Sequence, residues 1–555
     1  MSPTFGPRPI SEVAKDLDLS PDDLLPYGRD KAKIDHAALG RPRRGKGRLV
    51  LVSAITPTAA GEGKTTISVA LGMAMRRIGR RVALCLREPS LGPVFGVKGG
   101  GTGGGRAQLV PADEINLHFT GDIHAITSAT NLLAAIVDNE LHFRSARGLD
   151  PRKVTWRRCM DMNDRSLRDV VIGLGGRNGG MPRESGFDIT AASEIMAVLC
   201  LATSLRDLEH RLSRMVVGRK ADDTLVTCGE LGVSAALTGL LKDAIRPNLV
   251  QTAEGGAAFV HGGPFANIAH GCSSVLATRL AMHYADDVLT EAGFGFDLGG
   301  EKFLDIKCRS AEVWPRCVVL VATLRALKSH GGVPAASSKA PNGKALEAGL
   351  THLAKQFESV RAFGLEPVCA INQFGEDTED ELRVVEAFCT KQGARVGRST
   401  AFKDGGEGAV ALAREVAAVL DASDASPPVA KHLYPLDASY HDKLRAIART
   451  IYGANEVHIA PDAAKDLERF VKQGYGGLPV CIAKTQLSLT DDPKRVGRPT
   501  GFDVTVREVR LSAGAGFVVA LLGDVMTMPG LPKEPAAMRV RIDDDGVVRG
   551  LMQNE

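Results

Sequence analysis

Between residues 49 and 86 the chain sets out an apolar run, a glycine-bearing loop, an amphipathic segment and a second apolar run. No other feature restricts the fold as strongly. LVLVSAI at 49–55 carries no charge, as in a strand buried on both faces. TPTAAGEGKTT follows at 56–66, and a helix is expected to begin near Lys64. Ile67, Ala70, Leu71, Ala74 and Ile78 recur at helical spacing, and Gly79 suits the helix end. VALCL at 82–86 is the next strand. A strand–loop–helix–strand unit builds a parallel sheet with helices on both faces. Apolar runs at 317–323, 367–372 and, more weakly, 394–397 alternate with helical stretches at 343–360 and 376–392, which carries the sheet to about residue 425. The expected fold is α/β: a P-loop NTPase-like, doubly wound, mostly parallel sheet.

A chain of 555 residues exceeds one ordinary domain, and about two to four are expected. Residues 1–144 and 246–425 are read as the nucleotide-binding domain, opened by a polar, helical lead-in over 1–45. Between 145 and 245 the texture shifts to Arg and Asp, a Gly-rich piece (GLGGRNGGMP) and an amphipathic helix near 191–215, which reads as an inserted α+β subdomain. ASDASPPVA at 422–430 is a linker, and 431–555 forms a C-terminal α+β domain. With 69 basic and 65 acidic residues the net charge is +4, which gives no reason to expect nucleic acid or an acidic membrane as partner. No apolar run reaches the ~18 residues of a membrane span, and the N-terminus lacks the layout of a secretion signal. The ten cysteines are scattered without a CxxC pair. Buried free thiols in a reducing cytoplasm are the expectation.

The loop assigns Thr58, Ala59, Ala60, Gly61, Glu62, Gly63, Lys64, Thr65 and Thr66 to a nucleoside triphosphate. Gly61 and Gly63 let backbone N–H groups turn inward. Lys64 brings a mobile positive charge to the β and γ phosphates, Thr65 or Thr66 a hydroxyl for Mg²⁺, and the helix N-terminus partial positive charge. The usual spacing wants glycine where this chain has Thr58, so the loop is a variant. LREPSLGPVFGVKGGGTGGGRAQ at 86–108 follows the second strand. It puts Arg87 and Glu88 at the C-terminal edge of the sheet, where ligands of open α/β sheets bind. The planar fork of Arg87 fits a phosphoryl or carboxylate group. Lys98 and the glycines after it form a second anion-friendly loop. Two neighbouring anions, a nucleotide and an acidic or phosphorylated partner, are one reading; a local Arg87–Glu88 ion pair beside a flexible glycine hairpin is the other.

TAAGEGKTT, CLREPSLGPVFGVKGG, DEINLHFTGD, FDITAASEIMA, VHGGPFANIAHGC, TEAGFGFDLGGEKF, KTQLSLTDDP and AGAGFVVALLGDVMTMPGLP together resemble the formate–tetrahydrofolate ligase family along the whole chain. The resemblance implies ATP-dependent ligation of formate to tetrahydrofolate, giving N10-formyltetrahydrofolate, ADP and phosphate through formyl phosphate. It implies ATP with Mg²⁺, tetrahydrofolate as co-substrate, activation by a monovalent cation, and a homotetramer. It ties Lys64 and Arg87, with Glu88 beside them, to nucleotide and formyl phosphate, and it places Phe294 and Phe374 against the pterin. Phe402 stands where the family has a tryptophan, Gly375 where a proline is usual, and Arg106 where an aromatic is usual. His124 and His261 lie in matching stretches and are candidates for handling the amine proton, and Asn116 and Asp122 for positioning. A competing reading is a P-loop regulatory ATPase with a deviant phosphate loop. It leaves the long matches after residue 186 unused. A folate-binding module without catalysis is disfavoured by Lys64 and Arg87.

Overall fold

The computed structural model describes residues 7–551 except 59, 60, 98 and 144–146, and nothing of the Arg177 side chain. Ala59, Ala60 and Lys98, assigned above, therefore lie outside the described residues. Seven parallel strands form the centre: β1 (Arg48–Ala54), β2 (Val82–Leu86), β3 (Ala257–Val260), β4 (Asp287–Glu291), β5 (Cys317–Ala322), β6 (Pro367–Asn372) and β7 (Arg395–Ser399). They lie side by side as β3-β2-β4-β1-β5-β6-β7. The fold is mixed α/β around a large, mostly parallel central sheet.

Strand periodicity sorts the side chains between the two faces. Val50, Val52 and Ala54 pack with Ile67, Ala70, Leu71 and Ala74 of the helix Lys64–Arg77. Leu49 and Leu51 point the other way, to Ala277, Leu280, Leu327 and Leu353. The two faces bury different helices, so the charge-free run at 49–55 is required rather than incidental. At the N-terminal edge, Asp287 is fully buried and accepts from Arg48 Nε and Arg80 Nε, each at 2.7 Å.

Two local expectations change. The lead-in over 1–45 holds the helix Ile10–Asp16, but Leu24–Pro26 and Ala32–Ile34 are strands. Ala32–Ile34 pairs antiparallel with Asn248–Thr252, which extends the sheet beyond β3. These strands are three residues long and owe their form to the partner, so they carry no periodicity of their own. The single helix near 191–215 is two, Glu194–Leu201 and Leu205–Arg214. Ser204 Oγ accepts from Asp207 N at 3.1 Å, and the Asp207 carboxylate accepts from Thr203 N at 2.9 Å. This reciprocal cap starts a new helix inside a continuous apolar pattern. The helix core Ile195–Leu201 shares one apolar cluster with Ile126 and Leu133 and with Phe517, Val519 and Leu521 near the C-terminus. All ten cysteines are buried and free of disulfides. Among the described residues no helix is long and apolar enough to cross a membrane.

Candidate functional site

The seven parallel strands bring their C-terminal ends to one edge, and the sequence-assigned residues gather there. The loop after β1 turns at Gly61 (φ 71°) and Gly63 (φ 72°), a left-handed backbone that glycine adopts without strain. A Cβ on Gly63 would stand 2.6 Å from Asn372 Nδ2, which donates to Glu62 O at 3.0 Å. Thr58, the departure from the usual spacing, closes the loop. Its N–H and hydroxyl both donate to Glu62 Oε1, at 2.8 and 3.1 Å, and Gly61 N donates to Thr58 O at 3.1 Å. Burial raises the Glu62 carboxyl above its ordinary value, against the pull of these donors and of Lys64. Lys64 opens the helix and, among the described residues, makes no ion pair. Burial lowers its ammonium, while the charges of Glu291 and Glu62 oppose that shift.

Thr65 turns its hydroxyl to Glu291, at 3.0 Å to Oε2 and 3.3 Å to Oε1. Glu291 is the last residue of β4, the strand between β1 and β2. Arg87 follows β2 and donates from Nη1 to Pro264 O at 3.2 Å. A Cβ on Gly293 would lie 3.0 Å from the same nitrogen, so the glycine before Phe294 lets the guanidinium lie flat on the chain. The Arg87 Nε is buried without a partner among the described residues. Glu88 is buried, and desolvation with the nearby Asp122 charge pushes its carboxyl well above the ordinary range, Lys33 opposing. Thr65, Arg87, Glu88, Ser90, Gly101 and Glu291 line a cavity of about 60 Å³, several times the ~10–15 Å³ one water needs and suited to a small oxyanion. A second cavity of about 560 Å³, lined by Trp156, Glu194, Phe470 and Arg510 among others, contains no residue of the phosphate loop.

The second glycine loop is anchored by Asn116, whose Oδ1 accepts from Gly101 N at 2.7 Å. Asp122, the other positioning candidate, is buried between Lys33 Nζ and Asn248 Nδ2, each at 2.7 Å. Phe402, in the short helix Ala401–Asp404 after β7, lies on this loop. A Cβ on Gly104 would be 3.1 Å from its ring and 3.4 Å from Thr66 Oγ1, so the ring and the helix Lys64–Arg77 are neighbours. Phe374 follows β6, and the Arg325 guanidinium covers one face of its ring at 4.2 Å. Phe294 follows β4 in a left-handed conformation (φ 57°), costly for a phenylalanine. Among the described residues the three rings make no mutual contact. His261 is fully buried with Nδ1 on Ser274 Oγ and Nε2 on Ala244 O, both at 2.6 Å, and is pushed down to about 4 by burial. Both ring nitrogens are thus engaged, which leaves neither open to an amine proton. His124 is exposed on the helix Asp122–His142.

Reading the residues one by one did not select Glu291, Asn372 or Lys33. Two of these carried a signal, a polar residue at the end of a buried strand: Asn372 closes the otherwise apolar PVCAIN, and Glu291 closes DVLTE, which also holds Asp287 and Thr290. In a parallel sheet that residue faces the ligand edge. Lys33 carried none, because its strand forms only by pairing.

A family model described as "Formate--tetrahydrofolate ligase" matches residues 2–552. A protein of Myxococcus xanthus named formate–tetrahydrofolate ligase is 58% identical over 548 residues, covering 99% of this chain and 100% of its own. One of the same name from Paracoccus denitrificans is 54% identical over 547 residues, covering 98% and 97% respectively. With matches of this length and closeness, the chain belongs to the formate–tetrahydrofolate ligase family.

Proposed function

We propose that the protein ligates formate to tetrahydrofolate at the expense of ATP. Thr65, Arg87 and Glu291 around one small cavity at the sheet edge, with Lys64 within electrostatic reach of Glu291 and Arg87, carry this reading. A formate oxygen attacks the γ phosphorus of ATP, and the bond to the β-phosphate oxygen breaks, releasing ADP. The N10 amine then attacks the carbon of formyl phosphate. The carbon–oxygen bond breaks, phosphate leaves with the electron pair, and N10 loses a proton. Phosphorylation supplies the leaving group that formate lacks. Lys64, the loop N–H groups and the fork of Arg87 disperse charge on the transferring phosphoryl group, in a site that costs no reorganisation. The upward shift of the Glu88 carboxyl favours its neutral form, which limits negative charge beside that anion.

The Thr65 hydroxyl and Glu291 carboxylate are the hard oxygen donors that suit Mg²⁺. Among the described residues no group of three acidic, His or Cys side chains offers a full metal cage, so the nucleotide phosphates complete the set. Phe402 and Phe374 stack on the pterin and its neighbouring ring system, and Phe294 closes the side nearest Arg87. The glycine loop between β1 and the helix Lys64–Arg77 supports a P-loop NTPase-like class for the sheet. Residues 1–144 and 246–425 form the nucleotide-binding domain, 145–245 the insert and 431–555 the C-terminal domain. Monovalent-cation activation, a homotetramer and a cytoplasmic setting accompany the family resemblance. The test is formation of 10-formyltetrahydrofolate from formate, ATP and tetrahydrofolate. ATP hydrolysis at one rate with or without both co-substrates would reject this reading in favour of a regulatory ATPase.

A further inference from the structure

His330 and His352 stack with ring centroids 3.9 Å apart and planes 15° from parallel. His330 ends the helix Leu324–His330 after β5, and His352 lies inside the helix Gly343–Ala362. Both are buried. Each ring bridges the backbone of the same two residues, Thr56 and Gly497. His352 Nε2 accepts from Thr56 N at 3.3 Å, and its Nδ1 donates to Gly497 O at 2.9 Å. His330 Nε2 donates to Thr56 O at 2.8 Å, and its Nδ1 accepts from Gly497 N at 3.2 Å. A backbone N–H only donates and a carbonyl only accepts, so the four contacts fix both tautomers and require both rings neutral.

Thr56 is the residue at which the chain has left β1 and begins the phosphate loop. Ile55 still donates to Val321 O of β5, and beyond it the chain has left the ladder. Every polar atom of Thr56 is taken by a side chain. The two imidazoles hold its N–H and carbonyl, while its hydroxyl donates to Asp297 Oδ1 at 2.8 Å and accepts from Gln356 Nε2 at 3.1 Å. Two residues on, Thr58 closes the loop on Glu62. On the far side, Gly497 has φ 76°, and a Cβ there would stand 2.6 Å from His330 O. A segment some 440 residues away is thus seated against the root of the loop through one pair of rings.

We propose that the His330–His352 pair positions the ATP loop by holding the N–H and carbonyl of Thr56, and so sets the angle at which Thr56 leaves the sheet. This rests on the loop binding ATP. The pair touches no reacting atom and acts only through Thr56.

Asparagine and glutamine separate the two ends of each ring. The asparagine amide reaches the place of Nδ1 and can keep the Gly497 contact. The glutamine amide reaches the place of Nε2 and can keep the Thr56 contact. All four variants lose the stack alike. KM for ATP and for tetrahydrofolate, kcat and Tm are measured for His330→Asn, His330→Gln, His352→Asn and His352→Gln. The asparagine variants should raise the ATP KM about fivefold to tenfold, the effect of one lost buried hydrogen bond. The tetrahydrofolate KM should stay within twofold, and the glutamine variants should restore the ATP KM at the same Tm. Equal ATP KM values for the Asn and Gln variants would overturn the proposal, as would parallel rises in both KM values. Should these variants not fold, Gly497→Ala presses on His330 from the far side and should raise the ATP KM alone; no change in that KM would equally overturn it. A parent enzyme that makes no formyltetrahydrofolate would instead reject the assignment of the site itself.

Discussion

Replacing Phe402 by alanine tests the folate half of the site. The residue is 42% exposed, with its inner face on Gly104 and the outer face open at the sheet edge. A phenylalanine presents about 200 Å², so roughly 85 Å² is available to a flat ligand. At ~25 cal/mol per Å², covering all of it contributes about 2 kcal/mol, or ~30-fold in affinity, and covering half about fivefold. Phe402→Ala should therefore raise the tetrahydrofolate KM between about fivefold and 30-fold. The ring also supports the glycine loop beside Thr66, so the ATP KM is the necessary control. It should move less than twofold. Phe402→Trp keeps an aromatic face at the same place and should hold the tetrahydrofolate KM at or below the parent value. Initial rates with formate saturating, varying one of the other two substrates at a time, give both constants. A tetrahydrofolate KM unchanged in Phe402→Ala, or a rise matched by that for ATP, would refute the stacking argument.

Lys64→Ala should lower kcat by about 10²–10³, as for a lost preorganised charge at a transferring group; undiminished turnover would remove Lys64 from the chemistry. Glu291→Gln keeps the shape of the Thr65 contact but removes the charge, and should raise the Mg²⁺ concentration for half-maximal activity about tenfold. Superimposable Mg²⁺ curves would exclude Glu291 from holding the metal. Glu194 gives a pH prediction: burial lifts its carboxyl from 4.5 to about 7, against hydrogen bonds from Gly514 N and Ala515 N. The native state keeps this proton up to about pH 7, while the unfolded chain releases it near 4.5. Stability contributed by the bound proton is present below that window and lost as pH rises through it, by at most about 3 kcal/mol. Denaturant unfolding of Glu194→Gln should show a shallower decline between about pH 5 and 8 than the parent. Parallel declines would show that Glu194 ionises normally.

The central sheet was legible because its cause is local. A strand buried on both faces must be apolar throughout, and β1, β2, β5 and β6 announce themselves in this way. β3 at 257–260 is similarly apolar but short, and β4 at 287–291 carries Asp287, Thr290 and Glu291, so both gain their place only from their neighbours. The break at Ser204 was written in the sequence as a cap, yet lay hidden under a continuous helical pattern.

Of the site, the sequence by itself determined what backbone freedom and charge demand: glycines at 61 and 63, Lys64 at the helix start, Arg87 and Glu88 after the second strand. Those needs are met within a few residues of chain. Only the tertiary structure decided that Thr58 is paired with Glu62, that Glu291 meets Thr65, and that the Glu88 carboxyl is pushed upward by burial. It alone brought Lys33 to Asp122, and Gly497 through two histidines to Thr56. The reason is physical. A hydrogen-bond partner or a desolvated carboxyl is a property of what packs around a group, and here the packing residues come from strands and loops far away in the chain.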